Sequence, residues 1–120
     1  MFELREEEKI IRWYEYLIQY ENESAKEDWE NGLKEIEDIE SFLDEYLNAL
    51  TERFIDAQDY CLVLFFDCKS FFDIYRKKEL IFTKIKIKNY TKKMEKIKQK
   101  LKRVAKIKQR YYQFKYFCNN

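Results

Sequence analysis

A chain of 120 residues with no histidine, no proline, one glycine and a net charge of +1 is large enough to bury one core and too small for two. The missing histidines exclude imidazole acid–base catalysis, Ser-His and Cys-His nucleophiles and Glu-x-x-His di-iron sites, and the lone Gly32 excludes phosphate-cradling P-loops and dinucleotide-binding turns. The small net charge conceals opposite halves: residues 1–60 carry 19 Asp/Glu against 6 Lys/Arg, residues 61–120 carry 4 against 18, and such asymmetry flags charged binding surfaces.

With 46% hydrophobic residues and almost no chain breakers, the composition favours an all-α fold, a single helical domain over 1–120 built as an elongated bundle with a long acidic and a long basic helix. Lys, Ile, Tyr, Phe and Asn are abundant while Ala, Gly and Pro are scarce. AT-rich codons produce that bias, which points to a low-GC bacterium or its phages and mobile elements.

The first helix is expected over about residues 3–20, where Ile10, Ile11, Tyr14, Leu17 and Ile18 fall at the i, i+3, i+4, i+7 spacing of one face. Acids in its first turns suit the positive end of the helix dipole. Ser24 followed three residues later by Glu27 forms a capping box, so a second helix should open near Ala25.

From there an apolar stripe runs through Leu33, Ile36, Leu43, Leu47, Leu50, Phe54, Ala57, Cys61, Phe65, Cys68, Phe72 and Tyr75 at close to a 3.6-residue period. A single helix of that length is unusual in a compact domain, so a break is expected. It is placed either at LNALT (47–51) or, preferably, at DCKS (67–70), where Ser70 and Asp73 form a second S-x-x-[DE] box. The run YCLVLFF and the alternating IFTKIKIK also have strand character, which makes a short two-stranded insertion around 60–88, and hence an α+β fold, the structural alternative.

The last segment carries a coiled-coil-like seam: Leu80, Thr83, Ile87, Tyr90, Met94, Ile97, Leu101 and Val104, then, shifted by one place, Ile107, Tyr111, Phe114 and Cys118. Such a narrow seam needs a partner helix, from this chain or from a second copy. Around it, Lys88–Lys92, Lys92–Lys96, Lys96–Lys100, Lys98–Lys102, Lys102–Lys106 and Lys106–Arg110 are like-charge i, i+4 pairs, each costing about 0.2–0.5 kcal/mol in an isolated helix. Packing against the acidic helix would relieve them, the flanking cations meeting Glu35, Glu37, Asp38, Asp44, Glu45 and Glu52. Lysines project in nearly every direction off the seam, so an outward basic stripe should remain.

Three functions fit this pattern. The leading expectation is a non-enzymatic inhibitor or modulator of phage or mobile-element type, which binds a host or defence protein such as a nucleic-acid-handling, CRISPR-type nuclease. Its carboxylates would imitate a phosphate backbone. Contact residues are then Trp13 and Tyr16, aromatics off the core face, with Glu35, Asp38 and Glu45 on the acidic stripe.

The second is a nucleic-acid-binding protein that uses residues 84–110, between Lys84 and Arg110. Lys92, Lys96, Lys100 and Arg103 would meet phosphates while Tyr112 and Tyr116 stack on bases. The third is a self-associating structural protein, for which a homodimer is the simplest form.

No enzyme activity and no cofactor are expected. A metal site is not expected either: Glu37, Asp38, Glu40, Asp44 and Glu45 lack the loop chemistry of a calcium site, and Cys61, Cys68 and Cys118 lack zinc spacing and are read as reduced thiols. The opening MFELREEEK is acidic where a signal peptide is basic, and the longest apolar run is far shorter than the roughly 20 residues that span a bilayer. The expectation is therefore a cytoplasmic protein, in the host cell if phage-encoded, with no membrane among its partners.

Overall fold

The computed structural model describes residues 4–19, 28–67 and 74–118, and each stretch forms one helix: α1 (Leu4–Gln19), α2 (Trp29–Asp67, preceded by a turn at Asp28) and α3 (Ile74–Cys118). The fold is all-α. The two-stranded alternative fails among the described residues, because 60–67 belong to α2 and 74–88 to α3. β-branched side chains at alternate positions do not outweigh a seam that continues at helical spacing through the same residues.

α2 opens at Trp29, where the Asp28 carbonyl accepts the first turn's hydrogen bond from the Gly32 amide at 3.1 Å and the Asp28 carboxylate accepts one from the Asn31 side chain at 2.7 Å. Asp28 thus occupies a cap position that suits its residue type. The Ser24–Glu27 box lies outside the described residues. α2 continues without interruption through LNALT; α2 ends at Asp67 and α3 begins at Ile74, and the Ser70–Asp73 box between them is again outside the described residues.

The chain divides into two compact units. Unit 1 joins α1 to residues 29–45 of α2 and 98–118 of α3. Its core is a three-helix interface: Ile11, Tyr14 and Leu17 from α1; Leu33, Ile36, Ile39 and Leu43 from α2; Val104, Ile107, Tyr111 and Phe114 from α3, all buried. Each fully buried aliphatic side chain contributes about 1.5–3 kcal/mol. Tyr111 lies at the centre, packed edge-to-face on Tyr14 and on Phe114 with ring centroids 5.8 and 5.5 Å away. A Cβ on Gly32 would come within 2.9 Å of the Tyr111 ring, so glycine stands at this helix position because the ring occupies the space a side chain would take.

Unit 2 pairs residues 46–67 of α2 with 74–97 of α3. Among the described residues two helices share one seam and no third helix covers its flanks. Accordingly, of the described residues in this unit only Leu50, Leu64, Thr83 and Ile97 are buried, while Leu47, Phe54, Ala57, Cys61, Ile87, Tyr90 and Met94 are half-buried. Thr83 is tolerated in the seam because its hydroxyl donates to the Glu79 carbonyl one turn back, at 2.7 Å.

The expected α3 seam holds at every described position. On α2 the stripe departs from expectation at its end. Leu64 is 5% exposed and Phe65 65%, and Tyr75, at the start of α3, is exposed as well. The seam steps 50–54–57–61–64, the alternating four and three of a helix pair, and a uniform 3.6-residue extrapolation overshoots it.

No helix among the described residues is long and apolar enough to cross a membrane.

Candidate partner-binding surfaces

In unit 1 two cations of α3, Lys100 and Arg103, pair with acids of α1, and a third, Lys108, pairs with α2. The Arg103 guanidinium spans two carboxylates, with Nη1 2.9 Å from Glu8 and Nη2 2.5 Å from Glu15. Lys100 reaches Glu7 at 2.6 Å and lies 3.9 Å from Glu8. Lys108 pairs with Glu40 of α2 at 2.9 Å.

These contacts leave an electrostatic imprint. Burial alone would raise the Glu8 carboxyl, but the hydrogen bonds and charge of Arg103, with help from Lys100, hold it below its ordinary value. The Lys108 ammonium is raised, mainly by its hydrogen bond to Glu40. Burial, with the carboxylate of Glu35 accepting its hydroxyl, pushes the Tyr14 phenol up, and burial likewise pushes Tyr111 up to about 12.

The one acid of α2 that pairs with a lysine of α3 among the described residues is Glu40, and none of the six acids expected to do so forms such a pair. Glu37 accepts the Tyr112 hydroxyl at 3.1 Å and Glu35 serves Tyr14, whereas Asp38, Asp44, Glu45 and Glu52 remain exposed. Sequence inspection missed Glu7, Glu8 and Glu15. Glu7 sits four residues before Ile11 on the apolar face, and Glu8 and Glu15, seven apart, flank that face. An acid at a core position of an amphipathic helix signals a buried cation from another element.

The nucleic-acid residues separate into two sets. Lys100 and Arg103 are committed to α1, while Lys92 and Lys96 are exposed on α3 and form no ion pair with described residues. Tyr112 and Tyr116 do share an open groove with Gln109, Arg110 and Gln113. Tyr112 is already occupied by Glu37 and by the Lys108 ammonium, 6.0 Å from its ring centroid.

Of the expected protein-contact residues, Trp13 and Tyr16 come together. Their rings stack 5.9 Å apart at 19° on the outer side of α1, where they are 56% and 50% exposed. Asp38 and Glu45 are exposed on α2, and Glu35 is half-buried under its bond to Tyr14. A further aromatic, Trp29, lies under the Lys115 ammonium at 5.9 Å. Among the described residues no group of three or more His, Cys, Asp or Glu side chains is placed to hold a metal ion.

No family model, curated protein or solved structure matches the chain.

Proposed function

We propose that the protein is a non-enzymatic binding module that engages a protein partner through the Trp13–Tyr16 pair. The observation that carries this is a pair of stacked aromatic rings about half exposed on α1. Large, rigid aromatics of this kind are the anchors on which interface energy concentrates. Composition and charge favour a phage or mobile-element product acting as an inhibitor, its partner a nucleic-acid-handling protein of CRISPR-nuclease type. The exposed Asp38 and Glu45 would add electrostatic steering from α2.

The test is inhibition of, and direct binding to, such nucleases by the wild-type chain and by a Trp13→Ala, Tyr16→Ala variant. Loss of affinity by about 30-fold or more, the equivalent of a ~2 kcal/mol hot spot, is expected with helix content unchanged. Equal affinity of the two chains would overturn the assignment.

Nucleic-acid binding stands as the second function because Lys92 and Lys96 remain exposed and without ion pairs among the described residues. Anisotropy titrations against random-sequence DNA and RNA distinguish it. Micromolar binding whose log affinity falls linearly with log salt, with a slope reduced by about 0.9 for each of these lysines neutralised, would favour it.

A further inference from the structure

One end of unit 2 carries apolar side chains that its own packing leaves uncovered. On α2, Leu62, Val63, Phe65 and Phe66 are all more than half exposed, and on α3 so are Tyr75, Ile81 and Phe82. At 100° per residue the four on α2 cover an arc of about 160°, which together with the seam residues Cys61 and Leu64 makes this end of the helix apolar around most of its circumference, and the consecutive pair Ile81 and Phe82 point a quarter-turn or more apart. Helices that are apolar on all sides are normally surrounded on all sides.

The same end is basic. Between residues 75 and 88, six exposed Lys or Arg accompany one acid, Glu79, whose carboxylate accepts the Tyr60 hydroxyl.

This combination discriminates among occupants. A nucleic acid would use the cations and could stack on Phe82, but it would leave the aliphatic Leu62, Val63 and Ile81 idle in water. A second copy would cover one side only and would bring two basic ends together. An anionic lipid surface satisfies both features. Its headgroups take the ammonium groups while the acyl boundary accepts apolar side chains in any orientation, and lysine stems can lie along the apolar layer with their charges raised to the phosphates.

We propose that this end of unit 2 docks on an anionic lipid surface. Leu62, Phe66, Ile81 and Phe82 enter the headgroup–acyl boundary, and Lys84, Lys86 and Lys88 lie among the lipid phosphates. The attachment is peripheral, since no helix among the described residues is long and apolar enough to cross a bilayer. It uses none of the residues of the Trp13–Tyr16 surface, so either assignment can fail alone.

The experiment is flotation of the full-length chain with vesicles of phosphatidylcholine alone and of phosphatidylcholine with phosphatidylserine at roughly two to one. Binding is expected to the mixed vesicles, to weaken with salt, and to be at least about tenfold weaker to the neutral ones. Phe66→Ser with Phe82→Ser should lower partitioning about tenfold, and Lys84→Glu with Lys86→Glu and Lys88→Glu should abolish it. All five positions are exposed, and circular dichroism of each variant checks that helix content is retained. A Phe82→Trp chain should show a blue-shifted increment of emission on the mixed vesicles, over the wild-type background of Trp13 and Trp29.

Flotation with neither vesicle would overturn the proposal and leave the apolar end to a protein groove. Binding unaffected by Phe66→Ser with Phe82→Ser would reduce the interaction to charge alone and overturn the docking. Light scattering that shows a dimer dispersed by the same substitutions would assign the surface to a second copy.

Discussion

The Lys100 ammonium of α3 lies 2.6 Å from the carboxylate of Glu7 in α1, a side chain with no exposed surface. A carboxylate taken wholly out of water is tolerated only while its cation stays in place, and Lys100, about one-fifth exposed, supplies it from the rim. Lys100→Met should therefore destabilise the protein by about 3 kcal/mol, the low end for a broken buried pair because water retains some access. Adding Glu7→Leu should recover most of that loss. Urea unfolding of the two single variants and the double variant measures the coupling. Near-additive effects would show that the pair carries no mutual energy.

Arg103 ties α3 to α1 through Glu8 and Glu15, and the pH dependence of stability should report it. The Glu8 carboxyl is held below its ordinary value in the folded protein, so the unfolded chain binds the proton more readily. Its contribution is complete above the unfolded carboxylate range and is lost as pH falls through the folded value. All three side chains are partly exposed, and solvent screening limits the network to about 1–2 kcal/mol. Arg103→Met should cost that much at pH 7, and the gap from wild type should close toward pH 3 in paired denaturation curves. A gap independent of pH would assign the loss to packing of the arginine stem.

Gly32 and Tyr111 form a steric pair across unit 1. Alanine is the better helix former by about 1 kcal/mol, yet Gly32→Ala should destabilise by about 1–2 kcal/mol, because the buried ring has no room to yield. In a Tyr111→Leu background the same substitution should become neutral or stabilising. The double-mutant cycle decides whether ring contact is the cause.

Leu64 and Phe65, adjacent in α2, test the seam of unit 2. Leu64→Ala should cost about 2–4 kcal/mol, while Phe65→Ala should stay within roughly 0.5 kcal/mol. A uniform 3.6-residue stripe anticipates the reverse order, so thermal or chemical unfolding of the two single variants is enough to separate them.

Much of the fold is legible in the residues. The absence of proline, the single glycine and the 3.6-residue recurrence of apolar positions specify helices, since backbone preference and burial of one face are both local properties. The α3 seam from Leu80 to Phe114 could be written down position by position for that reason. The exposure of Trp13 and Tyr16 followed from their places off the apolar face of α1 in the same way.

What tertiary structure decided is which faces meet. From composition, Lys100 and Arg103 belonged to a phosphate-binding stripe and the acids of α2 were their natural counter-ions. Packing instead set α1 beside α3, where Glu7, Glu8 and Glu15 take both cations. It also decided that, among the described residues, 98–118 are covered by two helices and 74–97 by one, so seams of the same spacing are buried in unit 1 and half-open in unit 2. Helical periodicity sets a residue's direction around its own axis. Charge pairing and burial depend on what stands opposite, and that emerges only when distant segments pack together.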